Sequence, residues 1–171
     1  QNSVPEIKSV FHPVKVFHFV RNPKNVVRSL YTRRNDNDIH LIPKNAPEIG
    51  TWLEGDKFTQ ICWNWASTTK QLLSQETELI LFEKIISDFD YFSEKILTPL
   101  GISVSQNDWK ALQNEKVNKT MPQWYRQVYA KLKGKTYIKD HLPEYSQWTD
   151  EQKKQFREIC GPVMAVCGYE I

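Results

Sequence analysis

The stretch that most limits what this chain can become runs from Val14 to Arg34, VKVFHFVRNPKNVVRSLYTRR. Val14, Val16, Phe17, Phe19 and Val20 form a β-branched and aromatic run that predicts a buried strand over 14–20. Asn22 is a good N-cap, and Pro23 suits a first helical position, where a missing N–H costs nothing. Val26, Val27, Leu30 and Tyr31 then recur at helical spacing, with Asn22, Asn25 and Ser29 on one polar flank. A strand therefore delivers Arg21 to the mouth of a helix. Orphan N–H groups, the positive end of a helix dipole, a forked guanidinium and a hydroxyl would together hold an anion. The competing reading is an ordinary strand-to-helix turn with a surface arginine.

The spacing separates the two. Pro23 follows Arg21 by two residues and Ser29 follows it by eight, directly after an apolar strand. This resembles the motif by which sulfotransferases grip the 3′-phosphate of 3′-phosphoadenosine 5′-phosphosulfate (PAPS). The resemblance implies that Arg21 and Ser29 contact that phosphate; Asn22 stands where the family often has Asp. Phe82-Glu83-Lys84-Ile85 after a second apolar run resembles the family's Tyr-Glu-Asp-Leu stretch, with Phe82 in place of the tyrosine. Pro99-Leu100-Gly101-Ile102 and the ending Gly168-Tyr169-Glu170 are also similar to family sequences. The family often carries a second phosphate-gripping loop, Arg-Lys-Gly. Lys133 and Lys135 around Gly134 are the candidates for it, although the arginine is absent.

The remaining elements follow from periodicity. A polar lead-in over 1–13 ends in Phe11-His12-Pro13, where His12 reads as a turn residue ahead of the strand. Residues 35–50 form a long irregular loop, and loops of that length are usually functional. Phe58, Ile61, Cys62, Trp65, Thr69, Leu72 and Leu73 predict an amphipathic helix over 56–73, in which Trp65 is a core residue rather than a stacking platform. Residues 78–82 predict the second strand. A helix over 88–98 turns Phe89, Phe92 and Ile96 inward, and one over 104–115 buries Trp109 and Leu112. Thr149 and Gln152 form a capping box for the last helix, whose buried face carries Phe156, Ile159, Cys160, Val163 and Cys167 and which Gly168 ends.

Composition narrows the function. The chain has 171 residues, enough for one domain with a real core. A net charge of +3 does not indicate a nucleic-acid binder. The charge is uneven: residues 1–34 hold seven bases against one acid, and residues 115–141 hold seven against two. Such stretches suit a small polyanion, and solvated lysine-rich faces are the bland alternative for the second. Cys62, Cys160 and Cys167 show no zinc spacing and fit buried free thiols in a reducing, cytoplasmic setting. Asn118-Lys119-Thr120 is a glycosylation sequon too short to place the protein in the secretory pathway.

The expected fold is therefore α/β: a parallel sheet flanked by helices, which the resemblance makes a P-loop-NTPase-like sulfotransferase fold with the nucleotide at the carboxyl ends of the strands. Residues 1–171 are expected to be a single domain covering the C-terminal portion of that fold. None of the six glycines lies in a strand–glycine-rich loop–helix setting, so the loop that would hold the 5′-phosphosulfate is not expected in this chain. The catalytic base is likewise unassigned, and the chain alone is not expected to transfer sulfate. The implied function is sulfuryl transfer from PAPS to an acceptor hydroxyl or amine. No metal, nucleic acid or membrane span is implied, and a homo-oligomer is compatible with it. An inactive sulfotransferase-like module that binds a nucleotide or a partner is the alternative. A kinase relative without its phosphate loop is a third reading.

Overall fold

The computed structural model describes residues 4–11, 13–33, 49–75, 77–114, 123–134 and 141–171. They fall into two compact units, one from 1–83 with 141–171 and one from 84–140.

The first unit is built on a parallel pair of strands. β1 (Phe17–Val20) pairs with β2 (Glu78–Leu81), with Phe17 opposite Glu78 and Val20 opposite Leu81. The chain between them is a helical crossover, the connection that parallel strands require. It contains α2 (Pro23–Arg33), α3 (Ile49–Glu54) and α4 (Lys57–Leu73). The architecture is thus α/β, mostly helical, with a small parallel sheet flanked by helices. β1 is shorter than the predicted 14–20, although the Glu78 N–H still donates to the Val16 carbonyl at 3.1 Å. The lead-in is not wholly irregular: α1 (Val4–Val10) forms there, and Lys8 Nζ donates to the Gln75 carbonyl at 2.9 Å. His12 lies outside the described residues, as do residues 35–48 of the predicted loop.

α4 is the spine of this unit. Asp56 caps it by accepting from the Thr59 N–H at 2.8 Å. Its buried face carries Phe58, Ile61, Cys62, Trp65 and Thr69, as the periodicity predicts; Leu72 and Leu73 are half-buried, and Trp63 and Ala66 are buried as well. Against it lies α10 (Asp150–Val166), opened by the predicted capping box. There Gln152 N–H donates to Thr149 Oγ1 at 3.1 Å, and Thr149 N–H donates to Gln152 Oε1 at 3.0 Å. Aromatic edges lock the two helices to the segment before α10. Trp148 meets Phe58 at 5.1 Å and Phe156 at 5.3 Å, both near perpendicular. Tyr145 lies 5.0 Å from Trp148. The Trp148 indole N–H is satisfied by the Pro143 carbonyl at 2.9 Å.

Cys62 and Cys160 are fully buried in this seam, with Cys160 Sγ 3.6 Å from the Cys62 carbonyl oxygen. All three cysteines are free thiols. Burial, reinforced by the neighbouring Cys160, pushes the Cys62 thiol far up, so it behaves as a small apolar group.

The second unit has its own small cluster. Asp88 caps α6 (Phe89–Phe92) by accepting from the Tyr91 N–H at 3.0 Å. A π-helical turn, Ser93–Leu97, follows, then α7 (Thr98–Leu100). The wide turn sits just ahead of Pro99, which has no N–H for the regular ladder. Gly101, at φ +66°, ends the run, and the Ile102 N–H returns to the Leu97 carbonyl at 3.0 Å. Trp109, on α8 (Gln106–Asn114), packs against Phe89 at 5.6 Å, and its indole donates to the Ile85 carbonyl at 3.2 Å. Leu112 corrects the sequence expectation. It is 60% exposed, because α8 buries only its Trp109 face. α9 (Gln123–Leu132) presents Trp124, Val128 and Leu132 to solvent. The remaining connection, α5 (Phe82–Ser87), begins directly at the end of β2.

Two predictions follow from this packing. Phe156 is completely buried among Trp148, Tyr145 and the α4 face, so Phe156→Ala should destabilise by about 3–5 kcal/mol in chemical denaturation. His18 is buried in β1, its Nδ1 has no hydrogen-bond partner among the described residues, and burial lowers its pKa. The unfolded chain then binds a proton that the folded chain refuses. Stability from this group is present above its ordinary value near 6.5 and is lost as pH falls below it. Unfolding free energies measured between pH 7.5 and 5 should fall more steeply for the parent than for His18→Leu.

Candidate functional site

The site is the turn that joins β1 to α2 at the carboxyl end of the sheet. The apolar strand ends at Val20, and Pro23 begins the helix, which leaves Arg21 and Asn22 in the corner. Arg21 is exposed, with its guanidinium carbon 5.4 Å from the centre of the Phe82 ring. Ser29 is half-buried on α2, two turns below Asn22 on the same flank. The two residues of the predicted motif therefore stand at the mouth and on the shaft of one helix.

Three consecutive backbone positions in this corner are held by side chains from three other parts of the chain. The Tyr169 hydroxyl lies 2.9 Å from the Val20 carbonyl oxygen. The Trp65 indole N–H donates to the Arg21 carbonyl at 3.2 Å. The Asn22 N–H donates to Glu83 Oε1 at 2.8 Å. Glu83 Oε2 is in turn 2.7 Å from the Tyr169 hydroxyl, which shares its single proton between the carboxylate and the Val20 carbonyl.

The first turn of α2 differs from the sequence expectation of orphan donors. Lys24 N–H is taken by Asn22 Oδ1 at 3.0 Å, and the Asn25 and Val26 N–H groups by the Asn22 carbonyl at 3.1 and 3.2 Å. With Pro23 lacking an N–H and Asn22 engaged by Glu83, the helix mouth is satisfied from within the chain. An anion here would be held by side chains and by the helix dipole, not by free backbone donors.

Beside the corner is an open groove of about 300 Å³ lined by Asn22, Lys24, Asn25, Arg28, Glu144, Tyr145 and Ser146. Neither Arg21 nor Ser29 is among its lining residues. Its cations are already engaged. Lys24 Nζ sits 4.5 Å from the centre of the Tyr145 ring and donates to the Glu170 carbonyl at 3.3 Å. Arg28 pairs with Glu144 at 3.2 Å, a solvent-exposed pair of small energetic weight.

Of the second-loop candidates, Lys133 is exposed just after α9, with Nζ 4.7 Å from the centre of the Tyr129 ring. Lys135 lies outside the described residues. Sequence reasoning did not single out Glu83 or Tyr169 as holding the Arg21 corner. In the sequence Glu83 stands out only within the Phe82-Glu83-Lys84-Ile85 stretch, and Tyr169 only within the Gly168-Tyr169-Glu170 ending. Among the described residues no cluster of three or more His, Cys, Asp or Glu is arranged to hold a metal ion. No described helix is long and apolar enough to cross a membrane. No family model, curated protein or solved structure matches the chain.

Proposed function

We propose that this chain is the 3′-phosphate-holding portion of a PAPS-dependent sulfotransferase, with a P-loop-NTPase-like arrangement of its sheet. The observation that carries the reading is the placement of the Arg21…Ser29 motif. It spans a strand-to-helix corner at the carboxyl end of a parallel pair, where α/β folds bind nucleotides. Arg21 supplies a permanent cation with a planar fork suited to a phosphate, and its exposure leaves that fork available to a ligand. Ser29 supplies a neutral hydroxyl donor from a rigid helix. When bound, PAPS would supply the sulfuryl group that passes to an acceptor hydroxyl or amine. This chain's residues hold the nucleotide at the end remote from that bond, so they bind and orient. The acceptor class stays open within that reading. Because the backbone donors of the α2 mouth are engaged internally, discrimination for the 3′-phosphate falls on the two side chains.

Calorimetry with adenosine 3′,5′-bisphosphate tests this. Arg21→Ala should weaken binding by about 1.5–3 kcal/mol, the range for hydrogen bonds to a charged group. Equal affinity of mutant and parent would leave the corner as a structural turn. Ser29→Ala should cost about 1 kcal/mol for the bisphosphate, the value of a neutral donor, and change the affinity for adenosine 5′-phosphate little. Equal weakening for both nucleotides would assign Ser29 to helix support.

A further inference from the structure

Resting on the sulfotransferase reading, we infer that Glu83 and Tyr169 are positioning residues that set the Arg21 side chain for the 3′-phosphate. Arg21 is flanked on its N-terminal side by the Val20 carbonyl, which Tyr169 holds, and on its C-terminal side by the Asn22 N–H, which Glu83 holds. Its own carbonyl is fixed by Trp65. The partners are 44, 61 and 149 residues away in sequence, so the folded unit holds the peptides on either side of Arg21 in addition to the local Asn22 cap. Glu83 and Tyr169 are also joined to each other at 2.7 Å, so the carboxylate bridges the helix mouth and the hydroxyl. Tyr169 is directed there by the end of α10. Gly168 takes φ +77°, and the Tyr169 N–H returns to the Met164 carbonyl at 2.9 Å. Pinning the peptide on both sides fixes the backbone from which the Arg21 side chain departs, so less backbone freedom is left to lose on binding, which raises affinity without any new contact to the ligand.

A carboxylate beside an anion site could instead act by charge, opposing the ligand, or could merely hold the unit together. Glu83→Gln separates geometry from charge. Its amide oxygen can still accept from Asn22, and its NH₂ can donate to the Tyr169 oxygen, which then donates to Val20. Glu83→Ala and Tyr169→Phe remove the bridge.

The experiment measures affinity for adenosine 3′,5′-bisphosphate and for adenosine 5′-phosphate in the parent, in these three variants, and in Glu83→Ala combined with Arg21→Ala. Thermal melts confirm that each is folded, with Tyr169→Phe as the milder variant should Glu83→Ala not fold. The expected result is about a tenfold loss for the bisphosphate in Glu83→Ala and Tyr169→Phe, equivalent to about 1.4 kcal/mol. Adenosine 5′-phosphate affinity should change less than about twofold, Glu83→Gln should be near the parent, and Glu83→Ala should add no loss in the Arg21→Ala background. Tighter bisphosphate binding by Glu83→Gln would make Glu83 an opposing charge and overturn the inference. Equal losses for both nucleotides, or further loss without Arg21, would make the bridge a structural tie and overturn it too. A parent that binds the bisphosphate alongside parent-like Glu83→Ala and Tyr169→Phe overturns the inference alone. A parent that does not bind the bisphosphate overturns the functional reading and this inference with it.

Discussion

The hydrogen bond from the Asn22 N–H to Glu83 is the contact on which the arrangement of the Arg21 corner turns. It ties the residue after β1 to the residue that opens the helix after β2, so the ends of two parallel strands are fixed to each other beyond the last ladder bond. A two-stranded parallel pair has little independent stability. Here it is held by contacts at its carboxyl end. A neutral bond of this kind contributes about 1 kcal/mol net, and one to the Glu83 carboxylate about 1.5–3 kcal/mol. The cost of losing one is larger, because a partly buried carboxylate or N–H would be left without its partner. Geometry, more than energy, is what these bonds supply.

That geometry depends on packing farther away. Trp65 can reach the Arg21 carbonyl only because α4 lies under β1 with its Phe58–Cys62–Trp65 face inward. Tyr169 can reach Val20 only because α10 is docked on α4 and ends where it does. The capping box at Thr149, the Phe156–Trp148 contact and the reversal at Gly168 are successive controls on that end. A cavity at Phe156 would therefore loosen the seam that delivers Tyr169 as well as lower stability.

What was legible in the sequence was local. The Asn22-Pro23 helix start, the Thr149–Gln152 box, the Gly168 stop and the α4 face each follow from spacing and side-chain chemistry within a few residues. The two strands and the burial of Cys62, Cys160 and Trp109 follow in the same way, whereas the parallel pairing with helices around it is expected from the α/β class as a whole. What was not legible depends on distant partners. α1 carries Val4, Ile7 and Val10 but buries only Val4, so its face is too thin to stand out from a polar lead-in. α3 is six residues at the end of a long irregular stretch, shorter than any periodic window. Leu112 fits a helical stripe, but tertiary packing leaves that stripe without a cover at its position. At the candidate site the Arg21 and Ser29 placement was visible. The Glu83–Tyr169 bridge was not, since no rule of spacing links residues 86 apart.

The internal satisfaction of the α2 mouth changes what kind of anion site this corner can be. A nest of free backbone donors binds any small anion that fits, because each donor is a fixed dipole with little shape preference. Here those donors are spent on Asn22 and Glu83, and a carboxylate already occupies the positive end of the dipole. On the proposed reading, the remaining attraction would come from the Arg21 guanidinium and the Ser29 hydroxyl. Such a pair would discriminate by direction, favouring a terminal phosphate over diffuse negative charge. On the proposed reading, the pinned peptide that carries Arg21 would be a physical source of selectivity. Restraining the arginine costs the fold a carboxylate and a tyrosine from the far end of the sequence.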